Sequence, residues 1–301
     1  MHDLIIIGSG PAGFTAAIYA LRAKLDVLML EKAGPGGQIA LSDVVENYPG
    51  YQEISGMDLM QKFEEHAKKF GLVSKIAEVI SIRDADGYKE IETTSGSYQA
   101  KAVLVASGAK PRKLGVPGEK EFTGRGVSYC ATCDGFFFRG KDVVVVGGGD
   151  TAVKESQFLT KMVNKVYVVH RRDALRAEKI IQEKVLANPK IEVVWNTVAE
   201  IIHGEGTVAA VSVKNIETGE IREIAVQGAF IFVGIVPNTE FIDVKKDHGG
   251  FIVANERMET SVPGIFVAGD CRVTPLRQVA TAVGDAAIAA TSAEAYIEAL
   301  S

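Results

Sequence analysis

The sequence predicts an α/β fold with two three-layer, parallel-sheet domains, the second inserted into the first. The 301 residues suffice for about two domains of ordinary size. Two glycine-rich turns each follow a short apolar run and precede a helical stretch. The spacing is also repeated, since Glu31 follows Gly8 by 23 residues and His170 follows Gly147 by 23 residues. This repeat indicates two Rossmann-like nucleotide-binding units.

The first unit begins with the apolar run Asp3–Ile7, which leads into Gly8-Ser9-Gly10-Pro11-Ala12-Gly13 and the helical stretch Phe14–Ala23. The first glycine permits a tight turn, the second leaves room for a pyrophosphate, and the third lets helix and strand pack closely. Unpaired N–H groups of the helix N-terminus then face the phosphates. The next run, Val27–Leu30, ends at Glu31, which can accept a hydrogen bond from a ribose 2′-OH and would repel a 2′-phosphate. We therefore expect this unit to bind FAD or NAD.

The second unit contains the apolar run Asp142–Val146, the turn Gly147-Gly148-Gly149-Asp150-Thr151-Ala152 and a further run, Val166–Val169. That run ends in His170-Arg171-Arg172, and Arg176 follows shortly after. Arginines suit the 2′-phosphate of NADP because they form charge-assisted, often bidentate hydrogen bonds with it. The alternatives are a solvated basic stretch and a turn without a ligand. The repeated context favours NADPH.

The remaining sequence indicates how the domains are arranged. A stretch rich in Pro, Gly and Lys at residues 110–118 predicts a connector. Later apolar runs predict strands at Ile191–Val194, Val208–Asn215, Ala225–Gly234, Phe251–Asn255 and Ile265–Ala268, and a helix at Thr281–Ala299. We expect residues 1–114 and 242–301 to form a discontinuous FAD-binding domain and residues 115–241 to form an inserted NADPH-binding domain.

Two cysteines lie just upstream of the second turn, in Cys130-Ala131-Thr132-Cys133-Asp134. Cysteines at this spacing can close a small disulfide ring, and their thiolates commonly have a lowered pKa. Asp134 is placed to donate or accept a proton as the disulfide opens and closes. A zinc site would need further ligands, but only Cys271 remains and the five histidines show no paired spacing. We therefore expect redox chemistry and no metal, with Cys271 as a buried apolar residue.

Composition excludes several other functions. The net charge of −5 gives no reason to expect nucleic acid or an anionic membrane as a partner. No apolar run approaches the roughly 20 residues that cross a bilayer, and the N-terminus shows no cleavable apolar segment. We therefore expect a cytoplasmic protein.

Together these motifs resemble the low-molecular-weight, bacterial-type thioredoxin reductases over essentially the full length. The resemblance rests on the glycine turns, the cysteine motif and several shorter runs, namely Gly36-Gly37-Gln38, Glu46-Asn47-Tyr48-Pro49-Gly50, Gly135-Phe136-Phe137, His170-Arg171-Arg172-Asp173, Gly269-Asp270 and Arg277-Gln278. It implies a thioredoxin-disulfide reductase that transfers electrons from NADPH to FAD and then to the cysteine pair.

The resemblance also implies roles for individual residues. Cys133 would be the thiol nearest the flavin, Cys130 would attack the disulfide of thioredoxin, and Asp134 would be the acid/base. Arg125, Phe136 and Phe137 would belong to the surface that meets thioredoxin. The FAD site would comprise Gly8, Ser9, Gly10, Pro11, Ala12, Gly13, Glu31, Lys32, Gly37, Gln38, Asn47, Gly108, Gly269, Asp270, Arg277, Gln278 and Ala280. The NADPH site would comprise Gly147, Gly149, Asp150, Thr151, His170, Arg171, Arg172 and Arg176.

The resemblance further implies a homodimer and a rotation of the inserted domain, because nicotinamide and cysteines must both reach the flavin. The alternatives are a ferredoxin-fed or NADH-using relative that reduces another thioredoxin-like protein, and a non-catalytic flavin redox sensor. Steady NADPH oxidation with a disulfide acceptor would distinguish an enzyme from a sensor, which would be reduced once and stop.

Overall fold

The computed structural model of the chain describes residues 1–42, 45, 47–85 and 87–300, apart from the side chains of residues 41, 132 and 133. The chain divides into two compact units, with Met1–Lys110 and Val236–Ser301 in unit 1 and Pro111–Ile235 in unit 2. The boundaries predicted from sequence fall a few residues after these divisions.

The helices and strands alternate along most of the chain. The strands are β1 His2–Ile7, β2 Val27–Glu31, β3 Val73–Ile76, β4 Val79–Ala85, β5 Tyr88–Thr93, β6 Gly96–Val105, β7 Ala109–Pro111, β8 Val127–Ser128, β9 Asp142–Val146, β10 Lys165–Val169, β11 Ile191–Val194, β12 Thr197–Glu205, β13 Thr207–Asn215, β14 Ile221–Ala225, β15 Gly228–Ile231, β16 Ile235–Pro237 and β17 Ile265–Val267. The helices are α1 Pro11–Arg22, α2 Gly56–Lys69, α3 Glu119–Phe122, α4 Ala131–Asp134, α5 Asp150–Leu159, α6 Lys179–Leu186 and α7 Val279–Glu298, with 3-10 turns at Gly37–Leu41 and Gly135–Phe138.

Unit 1 is built on a sheet in the order β3-β2-β1-β6-β5-β4, with β17 also paired to β6. Strands β3, β2, β1 and β6 run parallel, whereas β4, β5 and β6 form an antiparallel meander. Both faces of β1 are buried, because Leu4 and Ile6 pack with α1 and α7 while Ile5 and Ile7 pack with β4 and β5. A strand covered on both faces is apolar at successive positions, which explains the uninterrupted run at the N-terminus.

Unit 2 contains a parallel sheet in the order β11-β10-β9-β15-β8 and an antiparallel sheet in the order β12-β13-β14. The valines of β9 are buried on both faces, with Val143 and Val145 in one apolar cluster and Val144 and Val146 in another. Helix α5 packs over the first of these clusters through Ala152 and Leu159. The predicted α/β class is confirmed, since each unit places helices against a parallel sheet.

Two predicted strands are wrong. The apolar run Ala225–Gly234 is divided between two sheets, because β14 ends at Ala225 and β15 begins only at Gly228. Between them the backbone N–H of Gln227 donates to the carbonyl of Asp142, where the chain passes from the antiparallel to the parallel sheet. The predicted strand Phe251–Asn255 contains only isolated bridges at Ile252. Hydrophobicity alone does not reveal where a chain changes sheets.

Candidate functional site

A cleft of about 660 Å³ in unit 1 lies at the carboxyl ends of β1 and β6, where ligands bind in open α/β sheets. Most residues of the predicted FAD site line it: Gly8, Ser9, Gly10, Pro11, Ala12, Glu31, Lys32, Gly37, Gln38, Asn47, Gly108, Gly269, Asp270, Arg277 and Gln278. Gly13 and Ala280 do not line it, although Val279 and Ala282 do. A second cleft of about 400 Å³ shares Gly8, Glu31, Lys32, Ser107 and Asn238 with the first, so the two form one elongated trough.

The glycine turn of unit 1 fits a bound pyrophosphate. A Cβ on Gly8, whose φ is +102°, would collide with the carbonyl of Ala106 on the neighbouring strand. A Cβ on Gly13 would collide in turn with the carbonyl of Gly8, so strand, turn and helix approach one another closely. By contrast, nothing lies within 4 Å of a Cβ built on Gly10. The backbone at Gly10 is therefore open to a ligand, at the N-terminus of α1.

Glu31 closes the turn from the opposite side. One carboxylate oxygen accepts hydrogen bonds from the backbone N–H and the hydroxyl of Ser9, both at 2.9 Å. The other accepts from the N–H of Ala33 at 3.1 Å. Because a carboxylate offers about four acceptor positions, Glu31 can be held in place and still accept from a ribose hydroxyl.

Two ionisable side chains, Asp270 and Arg277, also line the trough. Burial raises the pKa of Asp270, the charge of Arg277 opposes that rise, and the charge of Asp285 adds to it. The Arg277 guanidinium stacks 4.3 Å above the ring of Phe251. Its Nε atom is buried and has no hydrogen-bond partner within the described residues. An acceptor on a bound ligand would satisfy this donor, so the trough fits a polar, elongated cofactor.

Sequence reasoning missed several of these lining residues, notably Ser107 and Asn238. Ser107 was detectable in principle, since it follows the strand beside β1 and ligands bind at the carboxyl ends of such strands. Asn238 binds the backbone of Ser107 through its amide at 2.9 Å. No local pattern marks Asn238, because it reaches the trough from a distant part of the chain.

The glycine turn of unit 2 is built against His170. A Cβ on Gly148 would collide with the imidazole ring, and His170 is itself buried. Its Nε2 donates to the carbonyl of Ala174 at 3.1 Å. Burial lowers the pKa of His170; the hydrogen bond to the Ala174 carbonyl opposes this, and the charges of the three nearby arginines add to the lowering. The ring is therefore neutral at pH 7 and supports the loop from within.

The predicted phosphate-binding arginines lie on that loop. Arg171, Arg172 and Arg176 are all exposed. The loop returns to the glycine turn, since the backbone N–H of Arg176 donates to the carbonyl of Gly148 at 2.7 Å. Asp150 accepts from the N–H of Glu178 at 2.9 Å. The remaining predicted residues, Gly147, Gly149 and Thr151, form the turn and the start of α5. Backbone hydrogen bonds thus tie the loop that carries the arginines to the glycine turn and the start of α5.

The redox motif begins just after β8 with Cys130 and continues through α4, which ends at Asp134. Cys130 takes part in a disulfide bond; the predicted catalytic residue Cys133 has its side chain outside the described residues. The Ser128 hydroxyl accepts from the N–H of Cys130 and donates to its carbonyl, both at 3.0 Å. Cys271 is a fully buried free thiol, and burial raises its pKa to about 11. It is therefore unreactive at neutral pH, in contrast to the motif.

An apolar and basic surface adjoins the motif. Asp134 lines a groove of about 300 Å³ together with Arg125, Phe137 and Lys141. Phe136 and Phe137 are large aromatic side chains that remain 60% and 69% exposed. Exposed aromatic side chains of this size commonly mark binding surfaces.

The described part of the chain was also compared with the requirements of a metal site and of a membrane-spanning helix. Within the described ranges, no group of three or more His, Cys, Asp or Glu side chains could hold a metal ion. In that same part of the chain, no helix is both long and apolar enough to cross a bilayer.

Comparisons with known proteins agree with this geometry. The family model described as pyridine nucleotide-disulphide oxidoreductase matches residues 2–286. A thioredoxin reductase from Bacillus subtilis (strain 168) is 49% identical over 304 residues, covering 100% of this chain and 96% of that protein. One from Treponema pallidum (strain Nichols) is 49% identical over 301 residues, covering 99% and 98%. The crystal structure of Lactococcus lactis thioredoxin reductase in its FR conformation has a TM-score of 0.88 and 43% identity, covering 99% and 100%.

Proposed function

The chain belongs to the pyridine nucleotide-disulphide oxidoreductase family, and we propose that Cys130 and Cys133 are its redox-active pair. It is an NADPH-dependent flavoenzyme that reduces the disulfide of thioredoxin, as the sequence predicted. The observation that supports the pair is the disulfide of Cys130, in the unit that carries the second glycine turn. The ferredoxin-fed, NADH-using and sensor alternatives are not favoured.

We propose that unit 1 holds FAD along the trough and that unit 2 holds NADPH. When bound, FAD takes up a hydride equivalent from NADPH and passes two electrons to a disulfide. The Gly10 backbone and the N-terminus of α1 would hold the pyrophosphate, and Glu31 would hold the ribose. Asp270, Arg277 and Gln278 would bind the remainder of the cofactor. These residues orient FAD and exclude water from it.

The NADPH site depends on the exposed arginines of unit 2. Arg171, Arg172 and Arg176 would bind the 2′-phosphate, whereas His170 supports the loop that presents them. Gly147, Gly149, Asp150 and Thr151 would shape the pyrophosphate site. Because Asp150 already binds the backbone at Glu178, its proposed part is to fix the loop.

The reduced cysteine pair then acts on thioredoxin by two exchange steps. The Cys130 thiolate attacks one sulfur of the thioredoxin disulfide, which forms a mixed disulfide and releases the other sulfur as a thiol after protonation. Cys133 then attacks the Cys130 sulfur, which re-forms the pair and releases the second thioredoxin thiol. We propose that Asp134 exchanges the protons of these steps.

Several finer features stay predictions. Arg125, Phe136 and Phe137 are proposed to contact thioredoxin, and their exposure supports this. The domain assignments, the rotation of the second domain, the homodimer and the cytoplasmic location are proposed on the resemblance.

An anaerobic titration tests the proposed function. NADPH should bleach the flavin absorbance of the purified protein, and added oxidised thioredoxin should restore it over many turnovers. A Cys130→Ser variant should still bleach with NADPH but should not turn over with thioredoxin. If wild-type flavin is reduced and thioredoxin does not reoxidise it, the proposed activity is wrong and the fold assignment stands.

A further inference from the structure

Glu119, the first residue of α3, is a carboxylate buried in unit 2. Only 3% of the residue is exposed. Its oxygens accept three hydrogen bonds: from the backbone N–H of Leu114 at 2.9 Å, from that of Gly115 at 2.7 Å and from the hydroxyl of Tyr129 at 2.8 Å. A buried carboxylate is tolerated only with such partners. With three donors arranged around it, Glu119 is held in one orientation.

Tyr129 connects the fixed Glu119 carboxylate to the redox motif by a hydrogen bond. Tyr129 and Cys130 are the two residues that join β8 to α4. Ser128 shapes the link locally, through its hydrogen bonds to the Cys130 backbone. The Tyr129 hydroxyl instead ties the link to Glu119, in a different segment. Burial, followed by the hydrogen bond to Glu119, raises the pKa of Tyr129 to about 12. The hydroxyl therefore remains a donor throughout the neutral range.

The other partners of Glu119 lie in the connector that begins unit 2. Leu114 and Gly115 belong to the segment between β7 and α3. The segment that leads into α3 is fixed against the antiparallel sheet, because the N–H of Ile202 donates to the carbonyl of Pro117 at 3.0 Å. A Cβ on Gly118 would collide with the Ile202 carbonyl, so the approach is close. Glu119 therefore holds both the connector and the Tyr129–Cys130 link against the start of α3, which is packed on the antiparallel sheet.

We propose that Glu119 is a positioning residue for thiol–disulfide exchange. Through Tyr129, Glu119 sets the direction of the Cys130 side chain. Through Leu114 and Gly115, it couples the position of Cys130 to the connector. This inference rests on the proposed function, in which Cys130 attacks the disulfide of the partner. Glu119 forms no covalent bond in that step. Its effect is geometric, and a displacement of about 1 Å can cost on the order of a hundredfold in rate.

The test uses the full-length, FAD-loaded protein and two variants. Tyr129→Phe removes one hydroxyl and keeps the ring, whereas Glu119→Gln removes the charge and replaces one acceptor oxygen with an NH2 donor. Glu121→Gln is the matched control, since Glu121 is an exposed acid on the same short helix. Three quantities are measured: kcat/KM for oxidised thioredoxin, the rate at which the NADPH-reduced protein reduces a small aromatic disulfide, and NADPH oxidation with an acceptor that takes electrons directly from the flavin.

We expect Tyr129→Phe to lower kcat/KM for thioredoxin and the small-disulfide rate about tenfold, and Glu119→Gln to lower both at least as much. Flavin-acceptor activity and KM for NADPH should stay at wild-type values, as should all quantities in the control. The double variant should lose little more than Glu119→Gln alone, because the two residues act as one unit.

A variant with a lower unfolding temperature but wild-type exchange rates would overturn the proposal, because Glu119 would then serve stability alone. Tyr129→Phe decides the matter if Glu119→Gln does not fold. If wild-type protein reduces the small disulfide but not thioredoxin, the proposed function fails. The small-disulfide rates of the variants then still confirm or refute the role of Glu119.

Discussion

Replacing Asp285 with asparagine tests whether one ion pair holds the loop that carries Asp270 at the trough. Asp285 lies on α7, and its carboxylate accepts Nε of Arg272 at 2.7 Å and Nη2 at 2.8 Å. It also accepts the backbone N–H of Gly269 at 3.2 Å. The side chains of Arg272 and Asp285 are 17% and 10% exposed. The pair therefore connects α7 to both ends of the turn around Asp270.

The size of the effect follows from this burial. Removing one partner of a fully buried pair costs about 3–5 kcal/mol, because the other charge remains without a counter-charge. The residual exposure of Arg272 and Asp285 lowers our expectation for Asp285→Asn to about 2–4 kcal/mol. Unit 1 has the size at which 1 kcal/mol moves the unfolding temperature by about 2–4 °C. We therefore expect Tm to fall by about 5–15 °C.

Arg257 and Glu259 provide a matched control in the same unit. Their atoms Nε and Oε1 lie 3.0 Å apart, but the side chains are 63% and 39% exposed. Exposed pairs contribute only about 0–1 kcal/mol, so Glu259→Gln should shift Tm by no more than a few degrees. Thermal unfolding is followed by circular dichroism, and release of FAD by the rise in flavin fluorescence. Asp285→Asn should also release FAD at a lower temperature and bind it more weakly at 25 °C.

Equal shifts in the two variants would refute the reasoning, since burial would then not distinguish the pairs. A lower Tm with unchanged FAD affinity would show that the ion pair stabilises unit 1 without holding the Asp270 turn.

Three further predictions concern the second nucleotide site and the buried thiol. In the Arg171→Ala/Arg172→Ala variant, KM for NADPH should rise at least tenfold and KM for NADH should stay unchanged. The reason is that hydrogen bonds from charged groups to the 2′-phosphate are worth about 1.5–3 kcal/mol each. An unchanged preference for NADPH over NADH would contradict this. Gly148→Ala should displace the His170 ring, lower stability by about 1–3 kcal/mol and weaken NADPH binding, whereas normal NADPH affinity would count against the loop geometry. The thiol of Cys271 has a pKa of about 9 in the unfolded chain and about 11 in the folded one, so its contribution to the free energy of unfolding is complete below pH 9 and is lost as the pH rises to 11. In denaturant titrations over that pH range, the wild type should therefore lose stability more steeply than Cys271→Ala. Parallel pH dependences of the two proteins would contradict the assignment.

Local sequence patterns predicted the parts of the site that depend on neighbouring residues. The turn at Gly8 and the acid at Glu31 belong to one strand–turn–helix–strand unit, so their spacing specifies their geometry. The second turn and its arginines follow the same spacing, and their part in NADPH binding stays a prediction. His170 illustrates the limit of such inference. Its position at the strand end suggested a ligand of NADPH, but the fold buries its ring beneath Gly148 and gives it a supporting part.

Elements without a distinctive period were harder to predict. The segment Ala225–Gly234 is continuously apolar, yet it is divided because its two parts pair with different sheets. The meander of β4, β5 and β6 was not predicted. In β4 only Ile82 is buried. In β5 the buried positions alternate regularly, but they are occupied by Lys89, Ile91 and Thr93, so the apolar two-residue period of a strand is weak in both sequences.

The α/β class, the two nucleotide-binding units and the residue types of the redox motif could all be inferred from the amino-acid sequence. These depend on spacings within about thirty residues, which the chain geometry converts directly into structure. Contacts between residues far apart in the chain became evident only from the packing of the folded protein. Nδ2 of Asn47 donates to Gln278, and Nδ2 of Asn238 donates to the carbonyl of Ser107, because segments more than a hundred residues apart pack against each other. Such contacts form only when the whole chain folds, and no local period records them.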